Sequence, residues 1–349
     1  MENERQLILA DDNLNDICAV MDADTDFEIG TENTFEVKVR RDRWREDYTY
    51  RNVFYIKNTE FGGVIGEINT NTGLDTISLL GYTWRGMLGM KVIRPPSGQD
   101  YKVVSGELNK VLGELIVEHY GEPQINDPDT ETDIRTAHFF AVSYDDTGVN
   151  VENYQFERYC TLLDGIGKML GSAGYRLQIR YIQRDQGQRG IVELSAVPVT
   201  DYSGQIELSQ DSRLNFVFKN KKNGVNHLIC LGKGELQDRQ VIDLYVQQDG
   251  TIGSGQYYSG EEEIAQVYED TSSETDELQE KGMEKLQELM DSSSFTMDVE
   301  TLGIDVDVGD IIGGRDYITG LYAKKPVAKK IYRTEGNAVS MEYGVEGED

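Results

Sequence analysis

Three short stretches come nearest to a spacing that could do chemistry. In DDNLND (11–16) Asp and Asn alternate as ligands do in a calcium loop, but Asp16 occupies the sixth position, where such a loop needs Gly. In DVDVGD, Asp305, Asp307 and Asp310 alternate with Val306 and Val308, the pattern of a strand with one acidic face running into a Gly-Asp turn. GKGEL (232–236) contains G-x-G, yet it leads into VIDLYV, a strand pattern where a dinucleotide fingerprint requires a helix. His119, His138 and His227 share no motif, and neither G-x-S-x-G nor H-E-x-x-H occurs. Cys18, Cys160 and Cys230 lie too far apart for paired zinc ligands and read as ordinary free thiols. With 63 Asp and Glu, some pair falls at a glycosidase spacing by chance. No catalytic, cofactor-binding or metal residue is therefore assigned, no cofactor is expected, and the reading is of a protein that is not an enzyme.

The elements that would carry any site are mostly strands. At 349 residues the chain has room for two or three domains, and 38% hydrophobic residues are enough for real cores. Over 6–97, TFEVKVRR places Phe35, Val37 and Val39 on one face and Glu36, Lys38 and Arg40 on the other. VFYIKN, GGVIGEIN and DTISLLGYTW continue the pattern, with Gly62-Gly63 and Gly73 as turns and Pro95-Pro96 as the end. About six strands are expected there, as an antiparallel sheet or small barrel.

Residues 98–200 differ. SGELNKVLGELIVEHYGEP predicts a helix capped by Ser105, with Leu108, Val111, Leu112, Leu115 and Ile116 as its apolar stripe. TLLDGIGKMLGSAG predicts a second, with Thr161 and Asp164 as a capping box. Its apolar side is Leu162, Leu163, Ile166, Met169, Leu170 and Ala173. Gly165, Gly167 and Gly171 inside it imply close packing against a neighbour. YRLQIRY and IVELSAVPV predict a hairpin. Beyond 201 come GQIELS, LNFVFKN, VNHLICLG and QVIDLYVQQ as strands, an acidic helix from about 261 to 292 with Leu278, Met283, Leu286 and Met290 on one side, and final strands over 295–344.

The net charge of −29 argues against ordinary nucleic-acid binding, which needs cations to neutralise phosphates. Lys219, Lys221 and Lys222, and Lys324, Lys325, Lys329 and Lys330, are local basic exceptions, read as solvated strand ends or as contacts to acidic patches on a neighbouring subunit. No apolar run of 18 residues exists, and the N-terminus lacks the basic start and apolar core of a secretory signal, so no membrane insertion is expected.

Several segments taken in order resemble the ReqiPepy-type tail proteins of long-tailed phages and prophages. They are LADDNLNDICAVMDADTDFEIGTENTFEVKV, EFGGVIGEIN with ISLLGYTWRGMLGMKVIRPP, RYCTLLDGIGKMLGSAGYRLQIRY, NGVNHLICLGKGE, and DVDVGDIIGG with VAKKIYRTEGNAVSMEYG. The resemblance implies the tail-tip hub fold also found in contractile baseplates and the type VI secretion spike. That fold is mainly β with α+β parts: a first β-barrel tube module at 1–97, an α/β middle domain at 98–200, and a second tube module at 201–349 carrying the acidic helix as an insertion at about 261–292. It further implies a homotrimeric ring that imitates sixfold symmetry and continues the tail tube. The distal tail, tail tube and tape-measure proteins would be its partners, and DNA would pass without specific binding. The expected location is the virion, after assembly in the host cytoplasm. A wall-degrading tail enzyme and a receptor- or glycan-binding tail module are the alternatives; a wall-degrading region is not expected, because the chain stops after EYGVEGED. An acidic channel wall would repel passing phosphates, and Asp305, Asp307 and Asp310 are the first candidates to line it.

Overall fold

The computed structural model describes residues 6–121, 136–137, 139–183, 189–204, 207–208, 215–221, 223–290, 292–299, 306–315, 318–336 and 338–345. They form two compact units, one made of the described residues within 6–215 and 297–345 and one made of those within 216–296.

The first unit begins with seven antiparallel strands: β1 (Leu7–Ala10), β2 (Asp16–Ala19), β3 (Asp24–Ile29), β4 (Thr34–Arg40), β5 (Val53–Ile56), β6 (Gly62–Thr70) and β7 (Thr76–Thr83). Their order in the sheet is β3-β4-β7-β6-β5-β1-β2. Alternation decides which way each strand faces: Phe27 and Ile29, Phe35, Val37 and Val39, and Ile77 and Leu79 are all buried. Gly62 and Gly63 are not a turn. They open β6, where a Cβ on Gly62 would lie 2.6 Å from Trp84 Nε1 and one on Gly63 would lie 2.2 Å from the Tyr82 carbonyl. Only glycine permits that approach. Trp84, expected as the last residue of β7, instead opens a short helix α1 (Trp84–Gly89), where the Thr83 hydroxyl caps by accepting from Gly86 N.

The middle of the chain adds β8 (Val103–Glu107), α2 (Leu108–Tyr120), β9 (Thr136–Ala137), β10 (Phe140–Val142), β11 (Asn150–Gln155), α3 (Leu162–Ser172), β12 (Tyr175–Ile182) and β13 (Ile191–Pro198). The sheet β12-β13-β10-β9 contains the expected hairpin, in register from Tyr175 opposite Pro198 to Ile182 opposite Ile191. The stripe of α2 is buried as read. Its cap differs: the Glu107 carboxylate accepts from Lys110 N at 2.8 Å, whereas Ser105 lies two residues too early, in β8, and accepts from Asn153 N. In α3 the Thr161–Asp164 box forms, with Asp164 N donating to Thr161 Oγ1 at 3.1 Å. Of its glycines only Gly165 is crowded, by Ile93, Phe156 and Cys160; Gly167 and Gly171 face open space.

No core boundary falls at 97/98. One apolar cluster runs from Ala10, Tyr55, Trp84 and Leu88 through Leu112, Phe140 and Ile166 to Leu194. At its centre Tyr55 stacks on Tyr181, centroids 3.6 Å apart, and Trp84 lies 6.3 Å from the same ring.

The rest of the chain gives β14 (Glu207–Leu208), β15 (Asn215–Lys221), β16 (His227–Leu231), β17 (Val241–Val246), β18 (Ile252–Gly253), β19 (Ala265–Glu269), α4 (Thr275–Leu289), β20 (Ser292–Val299), β21 (Ile311–Arg315), β22 (Tyr322–Glu335) and β23 (Ala338–Val345). The C-terminal strands do not stand as a sheet apart from the first module. β22, fourteen residues long, pairs with β21 through its first third and with both β23 and β3 through the remainder. Among the described residues of the first unit, β1–β7 thus share one open sheet with β14 and β21–β23.

The second unit is a four-stranded sheet, β18-β17-β16-β19, covered on one side by α4. AQVYE, expected within the acidic helix, is the strand β19, parallel to β16. The helix buries Leu278, Gly282 and Leu286, a strict i, i+4 stripe, while Met283 is turned out. Gly282 is essential to that seam, since a Cβ there would lie 2.6 Å from Cys230 Sγ. No helix among the described residues is long and apolar enough to cross a membrane.

Candidate functional site

The acidic residues of the first unit divide into a buried set and an open one. Asp310 has a side chain only 1% exposed and receives a two-pronged contact from Arg176, Nε to Oδ1 at 2.7 Å and Nη2 to Oδ2 at 3.0 Å. Thr200 N and Asp307 N donate to the same carboxylate. Asp307 in turn meets Arg176 Nη2 at 3.2 Å and Lys330 Nζ at 3.4 Å. Burial pushes the Asp307 carboxyl up, but Lys330 and Arg176 outweigh it and hold the group below the usual carboxylate range. Lys330 is itself buried, with its ammonium 5.6 Å from the Tyr343 ring centre and 5.9 Å from Phe61. Gly309 makes the turn at φ +96° and lies against Arg176, where a Cβ would come within 3.1 Å. Asp310 is therefore neutralised inside the unit, and Asp307, partly exposed, is paired with Arg176 and Lys330; Asp305 lies outside the described residues.

The open set lies on the outward face of β22-β3-β4-β7-β6. Register places Arg333, Asp26, Glu36, Leu80 and Glu67 in one row across five strands. Asp24, opposite Lys38, and Glu28, opposite Ile331, extend the face on either side. Asp24, Asp26, Glu28, Glu36 and Glu67 share it with Lys38, Arg333 and, at the end of β4, Arg40. Asp26 directly opposes Glu36, a like-charge pairing that costs stability in a sheet. Arg333 relieves it by reaching Asp26 at 2.7 Å and Glu342 at 2.6 Å, and Lys38 reaches Glu36 at 3.1 Å. A β-bulge between Ile65 and Glu67 opens a shallow groove of about 540 Å³ with Phe35, Leu80 and the half-exposed Tyr82 in its floor.

The other candidates resolve into local structure. Asp11 accepts from Asn13 N, Asn15 N and Asn15 Nδ2, closing DDNLND as a turn. Lys324 pairs with Asp201 at 3.0 Å; bonds from Ser203 together with this lysine bring the Asp201 carboxyl down to about 2. His119 Nδ1 bonds to the Leu115 carbonyl in the last turn of α2. Cys230 is buried, which pushes its thiol up to about 11, and Cys18 and Cys160 are half-buried and free. His138, Lys222 and the side chains of Lys219 and Lys221 lie outside the described residues. Arg176 and the opposed Asp26–Glu36 pair escaped the sequence reading; the alternation of TFEVKVRR marked Glu36 as outward but could not say what lies opposite.

No family profile and no curated protein matches the sequence. Among solved structures, the 43 kDa tail protein of prophage MuSo2 from Shewanella oneidensis is similar over 98% of this chain and 98% of its own, at 10% identity and a TM-score of 0.50. A tail protein from Neisseria meningitidis MC58 aligns over 99% and 96% at 13% identity and a TM-score of 0.48. A prophage tail protein from Listeria monocytogenes EGD-e aligns over 99% and 95% at 13% identity and 0.46. The fold is mainly β and is shared with the Shewanella prophage tail protein.

Proposed function

We propose that this chain is a non-enzymatic structural subunit of a phage or prophage tail tip or baseplate hub, three copies of which form a ring continuing the tail tube. The observation that carries the reading is the end-to-end fold correspondence with the MuSo2 tail protein, 98% of both chains. A ring of three that abuts a sixfold tube needs two equivalent modules in each subunit. The strands of 1–97 and those of 201–349 are the two we assign, joined along β3 and β22, with the open edge at β2 left to pair with the next subunit. The distal tail, tube and tape-measure proteins are then its neighbours, and its place is the virion after assembly in the host cytoplasm.

We assign the channel wall to the face bearing Asp26, Glu28, Glu36 and Glu67. Such a wall repels phosphates and offers passing DNA no counterion release, so the strand slides without sticking. The test is electron microscopy of particles carrying a tagged chain, together with mass photometry of the chain mixed with its distal tail protein. Density for three copies at the tail end is the expected result; a tag on the head or along the tube shaft, or absence from particles, overturns the reading. A Glu28→Lys, Glu36→Lys, Glu67→Lys variant should assemble yet release DNA slowly, and normal release would remove the face from the channel.

A further inference from the structure

The second unit contains a side-chain cluster with no part in the reading above. His227 begins β16 on the sheet face away from α4. Its Nδ1 lies 2.6 Å from Glu263 Oε1 and its Nε2 lies 2.8 Å from Asp243 Oδ1, with both contacts made by one ring. The imidazole stacks on Tyr245, centroids 4.3 Å apart. Asp243 and Tyr245 belong to β17, whereas Glu263 belongs to the segment that leads into the edge strand β19. The histidine thus links the β16–β17 hairpin to the chain entering the edge.

Ionised carboxylates only accept hydrogen bonds. A neutral imidazole has one N–H, so it can serve one of these partners and must turn a lone pair toward the other. Only the imidazolium, with two N–H donors, makes both bonds. We propose that His227 is a pH-operated latch: charged, it fastens the 260–264 segment and β19 to the β16–β17 hairpin; neutral, it releases one carboxylate and lets the edge strand loosen.

The surroundings agree with that assignment. The groups facing the ring are Asp243 and Tyr245 from β17 and Glu263 from the entering segment, with Glu261 and Glu262 next to it in sequence; Ala265 stands opposite on β19, and α4 packs on the other side of the sheet through Leu228, Cys230 and Leu244. Burial disfavours the charged ring, but the bonds to Asp243 and Glu263 outweigh it and raise the group above its ordinary value of 6.5. A group whose pKa is raised by folding contributes its full stabilisation below the unfolded value and loses it as pH climbs through the folded one. The latch is therefore closed below about 6.5 and opens as pH climbs through the raised value. Asn226 holds the same segment independently, through Glu262 O and Ile264 N, so opening loosens β19 without unfolding the unit.

The test uses the full chain. Ring-nitrogen NMR of His227, one of three histidines, identified by loss of its signal in His227→Gln, gives the titration. Hydrogen exchange of the 265–269 amides, corrected for intrinsic rate, gives the edge, with the 241–246 amides as internal reference. The expected result is a pKa above 6.5, two protonated ring nitrogens below it, and β19 protection that falls through the same pH range by up to about tenfold per unit of elevation. Glu263→Gln should lower the pKa and flatten the β19 response. A pKa at or below 6.5, or an unchanged β19 response in Glu263→Gln, overturns the latch.

Discussion

The aspartates at 307 and 310 and the carboxylates on the outward face of β3 and β4 look alike in sequence, as acids alternating with apolar residues on strand-like stretches. In the fold they have opposite fates. Asp310 is enclosed and clasped by Arg176, while Asp26 and Glu36 stand opposite each other at a solvent-facing row with partial relief from Arg333 and Lys38. Composition cannot distinguish the two cases. What distinguishes them is whether the tertiary structure brings a cation within reach and shuts water out, because a charge in a dry interior must be paired whereas one in water need not be.

The comparison breaks first at Asp310. Asp310→Ala leaves the Arg176 charge buried without its main partner and should cost about 3–5 kcal/mol, read from urea denaturation; a loss under about 1 kcal/mol would put the pair on a par with surface bridges. The same contrast between enclosed and open sites holds for two glycines of one helix. Gly165→Ala drives a methyl into Ile93 and Phe156 and should cost about 1–3 kcal/mol. Acid sharpens the comparison further. The Asp307 carboxyl is held below its ordinary 3.8, so its contribution is present above that value and lost as pH falls through the folded one. Asp307→Asn should therefore flatten the acid end of a stability–pH curve measured by circular dichroism, and an unchanged slope would count against the network. Gly167→Ala, two residues from Gly165 but facing open space, should raise stability by up to about 1 kcal/mol in the same denaturation assay. The smallest effect belongs to the open face: Glu36→Gln should change stability by no more than about 0.5 kcal/mol, with a small gain if relief of Asp26 outweighs the lost Lys38 contact.

What could be read directly from sequence was local. The faces of β4, the buried stripe of α2, the Thr161 cap of α3 and the β12–β13 hairpin all follow from residues within one strand, one turn or one short connection. The misreadings share a cause. Ser105 and Glu107 are both plausible caps until β8 is known to claim Ser105, and Gly62-Gly63 passes for a turn until Trp84 is found against it. Met283 fits an apolar stripe as well as Gly282 does until Cys230 shows that the seam has no room for a side chain there. The candidate site was less legible still. Its row joins β22, β3, β4, β7 and β6, and the alternation along each strand gives its face but not its neighbour.

By itself the sequence determined most element types, the inward faces of the strands and a strongly acidic composition, because periodicity, capping and net charge are properties of contiguous residues. The tertiary structure decided that β22 joins β3 across some three hundred residues, that Arg176 enters the turn at 307–310, and that His227 stands between two carboxylates. Those pairings rest on the packing of the whole chain: strand register and the enclosure of charge are settled only when distant segments meet and exclude water from between them.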